Sequence, residues 1–219
     1  MRIEAVIFDI GNVLVRFDWQ LAEQQFRSRI RNDTDEAREE FVALKNRFEL
    51  GQISQGAFLQ NSIQILDFRG GADEFAAIWN GIFSSNEEME EFVVRLKDSL
   101  PLYLLSNTSE LHLNYLKEHF RVFQHFADGI YSFRVNCAKP DPKIFEIAAK
   151  QFGVTPARTL FVDDLAQNVE SAAACGINAI QYDWKRHCEF QKKLESLKSK
   201  TGRQGRISEP AVLRGRLVR

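Results

Sequence analysis

Ala5-Val6-Ile7-Phe8-Asp9-Ile10-Gly11 decides the fold: an apolar run without alternation stops on an aspartate, and a glycine follows. A short, unbroken apolar run reads as a strand buried on both faces, the kind that parallel sheets contain. Comparable runs recur much later, at 100–105 ending on Ser106, at 129–133, at 159–162 ending on Asp163, and at 178–182. Helical patterns separate them, over 87–97, 110–120, 142–152 and 166–175. Strand alternating with helix predicts βαβ units and an α/β, doubly wound parallel sheet. In such sheets ligands collect beyond the carboxyl ends of the strands. Asp9, Ser106, Asp163 and Asp164 all fall there.

The stretch 17–85 breaks the alternation. It reads as amphipathic helices over 19–30, 34–49, 54–66 and 73–83, punctuated by Gly51 and by Arg69-Gly70-Gly71, with Ser54 as an N-cap. The expected organisation is a core of 1–16 and 86–200, a helical insertion at 17–85, and a basic, disordered tail at 201–219. The basic character begins at Lys185. Phe190, Leu194 and Leu197 give that region one apolar helical face before Gly, Arg and polar residues take over.

Composition narrows the class. The 219 residues are 44% hydrophobic and 27% charged, with a formal net charge of -1. That balance is typical of a soluble globular protein and offers no overall counterpart to a nucleic acid or membrane surface. The three cysteines, Cys137, Cys175 and Cys188, are far apart and lack CxxC spacing. Neither a disulfide framework nor a zinc site is indicated. The opening residues reach Asp9 too soon for a signal peptide or membrane span, so a cytoplasmic protein is expected.

Four polar features carry the chemistry. Asp9, at a strand tip before a glycine, suits a nucleophile or a metal ligand, although aspartates also end strands as turn residues. Ser106-Asn107-Thr108 opens a helix and offers hydroxyl, amide and backbone donors to an anion, or serves as an ordinary cap. Lys139, in Ala138-Lys139-Pro140-Asp141-Pro142, can neutralise a phosphate as a point charge, its direction set by the flanking prolines. Asp163-Asp164 places two carboxylates at a buried strand end, with Asn168 a helical turn later. Such a pair repels itself unless a cation or proton intervenes, and magnesium is the hard ion that suits it.

Taken in order, these stretches resemble the four motifs of the haloacid dehalogenase-like (HAD) hydrolase superfamily. They are Phe8-Asp9-Ile10-Gly11-Asn12-Val13-Leu14, Leu105-Ser106-Asn107-Thr108, Lys139-Pro140-Asp141-Pro142 and Phe161-Val162-Asp163-Asp164. The resemblance implies a Rossmann-like core with a C1-type helical cap, and a Mg²⁺-dependent phosphatase acting on a small phosphorylated metabolite. It further implies Asp9 as the nucleophile that forms an aspartyl-phosphate, and Asp9, Ser106, Asn107 and Lys139 around the phosphate. Asp9, the carbonyl of Gly11 and Asp164 would hold the metal, with Asp163 and Asn168 beside them.

One departure stands out. The superfamily's phosphatases usually carry a second aspartate two residues after the nucleophile, where this chain has Gly11. Losing a positioned acid forfeits about 10²–10⁴-fold in rate. The DxGNV form is similar to that of bacterial sugar-1-phosphate (glucose-1-phosphate) phosphatases, whose anomeric leaving group needs little protonation. A sugar phosphate is therefore the expected substrate. Two rivals remain: a haloacid dehalogenase that needs no metal, and a non-catalytic binding module. Phe17, Trp19, Phe48 and Trp79 are candidates to line the pocket or to pack the cap. His112, His119 and Cys137 read as structural.

Overall fold

In the computed structural model, which describes residues 3–202, the decisive run becomes β1 (Ala5–Phe8), buried at every position. The chain then leaves the central sheet. β2 (Val15–Phe17) leads into α1 (Trp19–Arg27), α2 (Asp35–Glu49), α3 (Gln55–Ile65) and α4 (Ala72–Asn80), and β3 (Phe83–Ser85) returns antiparallel to β2. After α5 (Glu87–Leu96) the alternation resumes with β4 (Leu102–Ser106), α6 (Glu110–His119), β5 (Asp128–Tyr131) and the single turn α7 (Ser132–Val135). It continues with α8 (Pro142–Phe152), β6 (Thr159–Asp163), α9 (Ala166–Ala174), β7 (Asn178–Gln181) and α10 (His187–Gly202).

The central sheet has five strands in the order β5-β4-β1-β6-β7, and every pairing is parallel. The chain builds outward from β1 on one side, then crosses to the other. That reversal opens a crevice at the carboxyl ends of the middle strands. Register decides what meets there: Phe8 is level with Leu104 on one neighbour and Val162 on the other. The next residues out, Asp9 and Asp163, therefore leave the sheet side by side.

Side chains alternate across the sheet, as a two-residue period requires. Val6 and Phe8 join Leu104 and Val162 in one apolar cluster, under α5, α6 and the start of α10. Ile7 joins Leu105 and Phe161 in another, under α8 and α9. The helical segment has a third cluster of its own, with Phe58 stacked on Phe48 at 4.3 Å and Trp79 among Phe41, Phe58 and Phe75. Leu111 of α6 joins that cluster from the sheet side. Thr34 and Ser54 cap α2 and α3 through their hydroxyls, which accept from Ala37 N and Ala57 N.

The expected elements are present, with local differences. The helix expected over 73–83 stops at Asn80, because Gly81 ends it and Phe83 pairs with Phe17 in the two-stranded ribbon. The strand expected over 129–133 ends at Tyr131, where Ser132 begins a helical turn. Phe190 and Leu194 are buried on α10, as the apolar face of that stretch requires. The tail expected at 201–219 lies, beyond Gly202, outside the described residues. Among the described residues no helix is long and apolar enough to cross a membrane.

Candidate active site

Asp9 emerges from β1 with its backbone N–H donating to Val162 O at 2.9 Å. Lys139 Nζ stands 2.8 Å from Asp9 Oδ1, forming an ion pair. The same ammonium donates to Asp163 Oδ2 at 2.6 Å. The Lys139 side chain is only 1% exposed, so its charge depends on these two carboxylates. Burial alone would lower its pKa; Asp9 and Asp163 together outweigh burial and hold it raised.

Asp163 is engaged on both oxygens. Oδ1 accepts from Leu165 N and from Asn168 Nδ2, each at 2.9 Å, while Oδ2 faces Lys139. Asp164 is freer: its Oδ2 accepts from Asn12 Nδ2 at 3.2 Å. Asn12 has φ +53°, a left-handed turn that asparagine tolerates better than most residues. Burial pushes Asp9 up to about 6, against the pull of Lys139 and with a further push from Asp163. Burial also raises Asp164.

These shifts bear on a metal. Carboxylate oxygens of Asp9, Asp163 and Asp164 lie within 4.8 Å of one another. A cluster of hard oxygens in which burial raises the pKa values of Asp9 and Asp164 is one that a hard divalent cation would discharge. The residues present therefore fit Mg²⁺. Asp9 and Asp164 have the more open lone pairs, whereas those of Asp163 are occupied by Lys139, Leu165 and Asn168.

Ser106 ends β4, and Asn107 follows on the loop before α6. The Asn107 side chain makes a two-way clamp on the Lys139 backbone: Nδ2 donates to Lys139 O and Oδ1 accepts from Lys139 N, both at 2.8 Å. The amide expected at the anion thus also positions the lysine. One cavity of about 380 Å³ takes in Asp9, Gly11, Ser106, Asn107, Lys139 and Asp164, so all but one of the sequence-predicted site residues share it. Asp163 is fully buried just behind, under Lys139.

The walls above come from the helical segment and its ribbon. Phe17 and Trp19 line the cavity, as do Ile82 and Phe83. Phe48 and Trp79 instead pack inside the helical cluster. Gly11 adjoins Phe17 closely: a Cβ there would meet the ring at 3.2 Å. An aromatic edge thus borders the place where a side chain at position 11 would begin. His112 borders the cavity with its ring stacked on Trp79 and its Nε2 3.1 Å from Trp79 O. Burial pushes its pKa down to about 4, so it is neutral near pH 7 and its Nε2–H donates to that carbonyl. His119 contacts Tyr115 O on the exposed face of α6, and Cys137 is buried.

Three contributors were not anticipated from sequence. Lys45 and Glu49 line the cavity from α2. Ser132 reaches from α7 to both the Thr108 backbone and Glu49 O. The i,i+4 spacing of Lys45 and Glu49 was legible as a pair, but a helix pattern alone does not say that it faces a cavity.

Comparison with known proteins places the chain in a family. Residues 3–176 match the haloacid dehalogenase-like hydrolase family. The chain is 26% identical over 196 residues to the D-ribitol-5-phosphate phosphatase of Bacteroides thetaiotaomicron, covering 84% of this chain and 95% of that one. It is 28% identical over 197 residues to a phosphatase of Mycobacterium tuberculosis, covering 84% and 88%. Its fold superposes with a TM-score of 0.75 on a HAD family enzyme of Bacteroides thetaiotaomicron in complex with magnesium and inorganic phosphate. There the identity is 24%, and 85% of this chain and 98% of that one are covered.

Proposed function

The chain belongs to the haloacid dehalogenase-like hydrolases, and on that premise we propose that it is a magnesium-dependent phosphatase of small phosphomonoesters, specifically of a sugar or sugar-alcohol phosphate. The observation that carries this reading is the buried Lys139, ion-paired to Asp9 and Asp163 beside Asp164 at the mouth of one crevice. Lysine and carboxylates in that arrangement suit a phosphoryl group flanked by a cation.

Asp9 attacks phosphorus, and the bond from phosphorus to the leaving oxygen breaks. Water then attacks the phosphorus of the aspartyl-phosphate, releasing inorganic phosphate and restoring the carboxylate. Lys139, Ser106 and the backbone N–H of Asn107 meet the charge on the phosphoryl oxygens, work that is mostly positioning and electrostatics. Asp9, Asp164 and the Gly11 carbonyl would hold Mg²⁺, which would supply Lewis-acid stabilisation of those oxygens. Asp163 and Asn168 orient Lys139 and the loop. Residues 17–85 act as a cap that excludes water and selects the substrate, over a core of 1–16 and 86–200.

Support for the substrate class comes from the site and from likeness. The cavity has the size of a small-molecule pocket, and one similar protein is named for a sugar-alcohol phosphate. Gly11 supplies no acid for the leaving group, and Phe17 borders the space, which favours substrates that leave easily. A dehalogenase reading fits less well, because an anionic haloacid would face Asp164, whose carboxylate has only the neutral Asn12 amide as its hydrogen-bond partner among the described residues, whereas Asp163 is screened by Lys139.

The test is phosphate release, with and without Mg²⁺, from a panel of sugar 1-phosphates, sugar and sugar-alcohol 5- and 6-phosphates, nucleotides and phospho-acids. Release should require magnesium and fall by about 10⁴-fold or more in Asp9→Asn. Activity that survives EDTA, or that persists in Asp9→Asn, overturns the reading.

A further inference from the structure

The cavity has a second charged wall that the phosphate chemistry does not use. Lys45 and Glu49 lie one helical turn apart on α2, and both line it. Lys45 Nζ is 3.3 Å from Glu49 Oε2 and 3.4 Å from Oε1. Most such helical pairs are solvated and contribute little. This one is different, since its side chains are only 27% and 25% exposed. Burial raises the Glu49 pKa against the pull of Lys45.

The remaining walls from the helical segment and its ribbon are Phe17, Trp19, Ile82 and Phe83. A half-buried ion pair among such groups carries a desolvation cost that a purely apolar wall would avoid. Its position is also fixed from the core. Ser132 Oγ contacts Glu49 O at 2.6 Å and accepts from Thr108 N at 3.0 Å. Asn136 Nδ2 donates to Leu50 O at 2.7 Å. Gly51, at φ +68°, lies so close to Phe133 that a Cβ would run into its carbonyl. The end of α2 is thereby tied to the loop that carries Asn107.

We propose that Lys45 and Glu49 read the hydroxyl groups of the leaving group, the ammonium donating to them and the carboxylate accepting from them. This deepens the phosphatase reading above and rests on it. The pair has no net charge, which selects a neutral, polyhydroxylated body attached to the phosphate. A second phosphate or a carboxylate would meet Glu49. A hydrocarbon chain would displace water from both charges and return no hydrogen bond. Specificity of this kind comes from polar groups left unpaired when the wrong substrate binds.

The experiment compares kcat/KM for the best sugar or sugar-alcohol phosphate with that for p-nitrophenyl phosphate, which has no hydroxyls to read. The wild-type ratio is the reference. In Glu49→Gln and in Lys45→Met that ratio should fall by about 10- to 100-fold, the usual effect of losing a hydrogen bond to a charged group. A ratio within twofold of wild type in both variants overturns the proposal, as does a loss equal on both substrates. Calorimetric binding of the same sugar phosphates to the Mg²⁺-loaded protein gives a second readout that needs no turnover. If wild type releases no phosphate from any substrate, the phosphatase reading fails. Binding that weakens in Glu49→Gln would then still support the pair, and binding that does not would sink it. Thermal melting confirms that the variants are folded.

Discussion

The floor and the roof of the cavity are built on different principles. The floor is a closed polar network: Lys139 lies between Asp9 and Asp163, Asn168 and a backbone N–H hold Asp163, and Asn107 clamps the lysine's own backbone. The roof is aromatic and aliphatic packing with one ion pair, on a segment whose core is almost separate from that of the sheet. A floor of this kind fixes the geometry of reaction and tolerates little change. A roof of this kind can be altered residue by residue, and with it the choice of substrate. On the function proposed above, the comparison teaches that chemistry and selection are carried by separable parts of the chain.

The largest effect that bears on this contrast is at the floor. Lys139→Met leaves two buried carboxylates without their shared cation, a loss of about 3–5 kcal/mol of stability in metal-free buffer. Urea denaturation measures it, and added Mg²⁺ should narrow the gap to wild type. In the roof, Phe58→Ala opens a hole where a fully buried ring stacks on Phe48. It should cost about 3–5 kcal/mol as well. Hydrogen exchange should then speed up across α2, α3 and α4 while β1, β4 and β6 stay protected. Equal loosening of the central sheet would mean that the two regions are one cooperative unit.

A smaller effect lies where floor and roof meet. His112 has an ordinary pKa near 6.5 and is pushed by burial to about 4 in the fold. Above about pH 6.5 the ring is neutral folded or unfolded and has no influence. As pH falls below that, the unfolded ring takes a proton that the folded ring refuses until about pH 4. Stability is therefore lost across that window, by about 3 kcal/mol in all. The difference in unfolding free energy between wild type and His112→Gln, followed from pH 7 to 4, should show this slope.

Much of the floor was legible in the sequence because strand ends leave a mark: an apolar run that stops on a polar residue. Asp9, Ser106 and Asp163 all carry it, and parallel order then places them at one end of the sheet. What was not legible depends on tertiary packing. The β2–β3 ribbon uses strands of three residues each, too short for a period to register. The division of labour between Asp163, engaged under Lys139, and Asp164, facing the cavity, is invisible in two adjacent identical letters. Lys45 and Glu49 look like any solvated helical pair until the helix's orientation is known. Asn107 and Lys139 are 32 positions apart, so no local signal announces their clamp.

Magnesium titration is the most direct test that the carboxylates of Asp9 and Asp164 share one cation. Calorimetry on the wild-type protein in the presence of inorganic phosphate should find one Mg²⁺ per chain. Affinity should fall by about tenfold or more in Asp164→Asn, the scale of loss seen for removal of a supporting group at metal sites. Undiminished magnesium binding in both Asp164→Asn and Asp9→Asn would contradict the account.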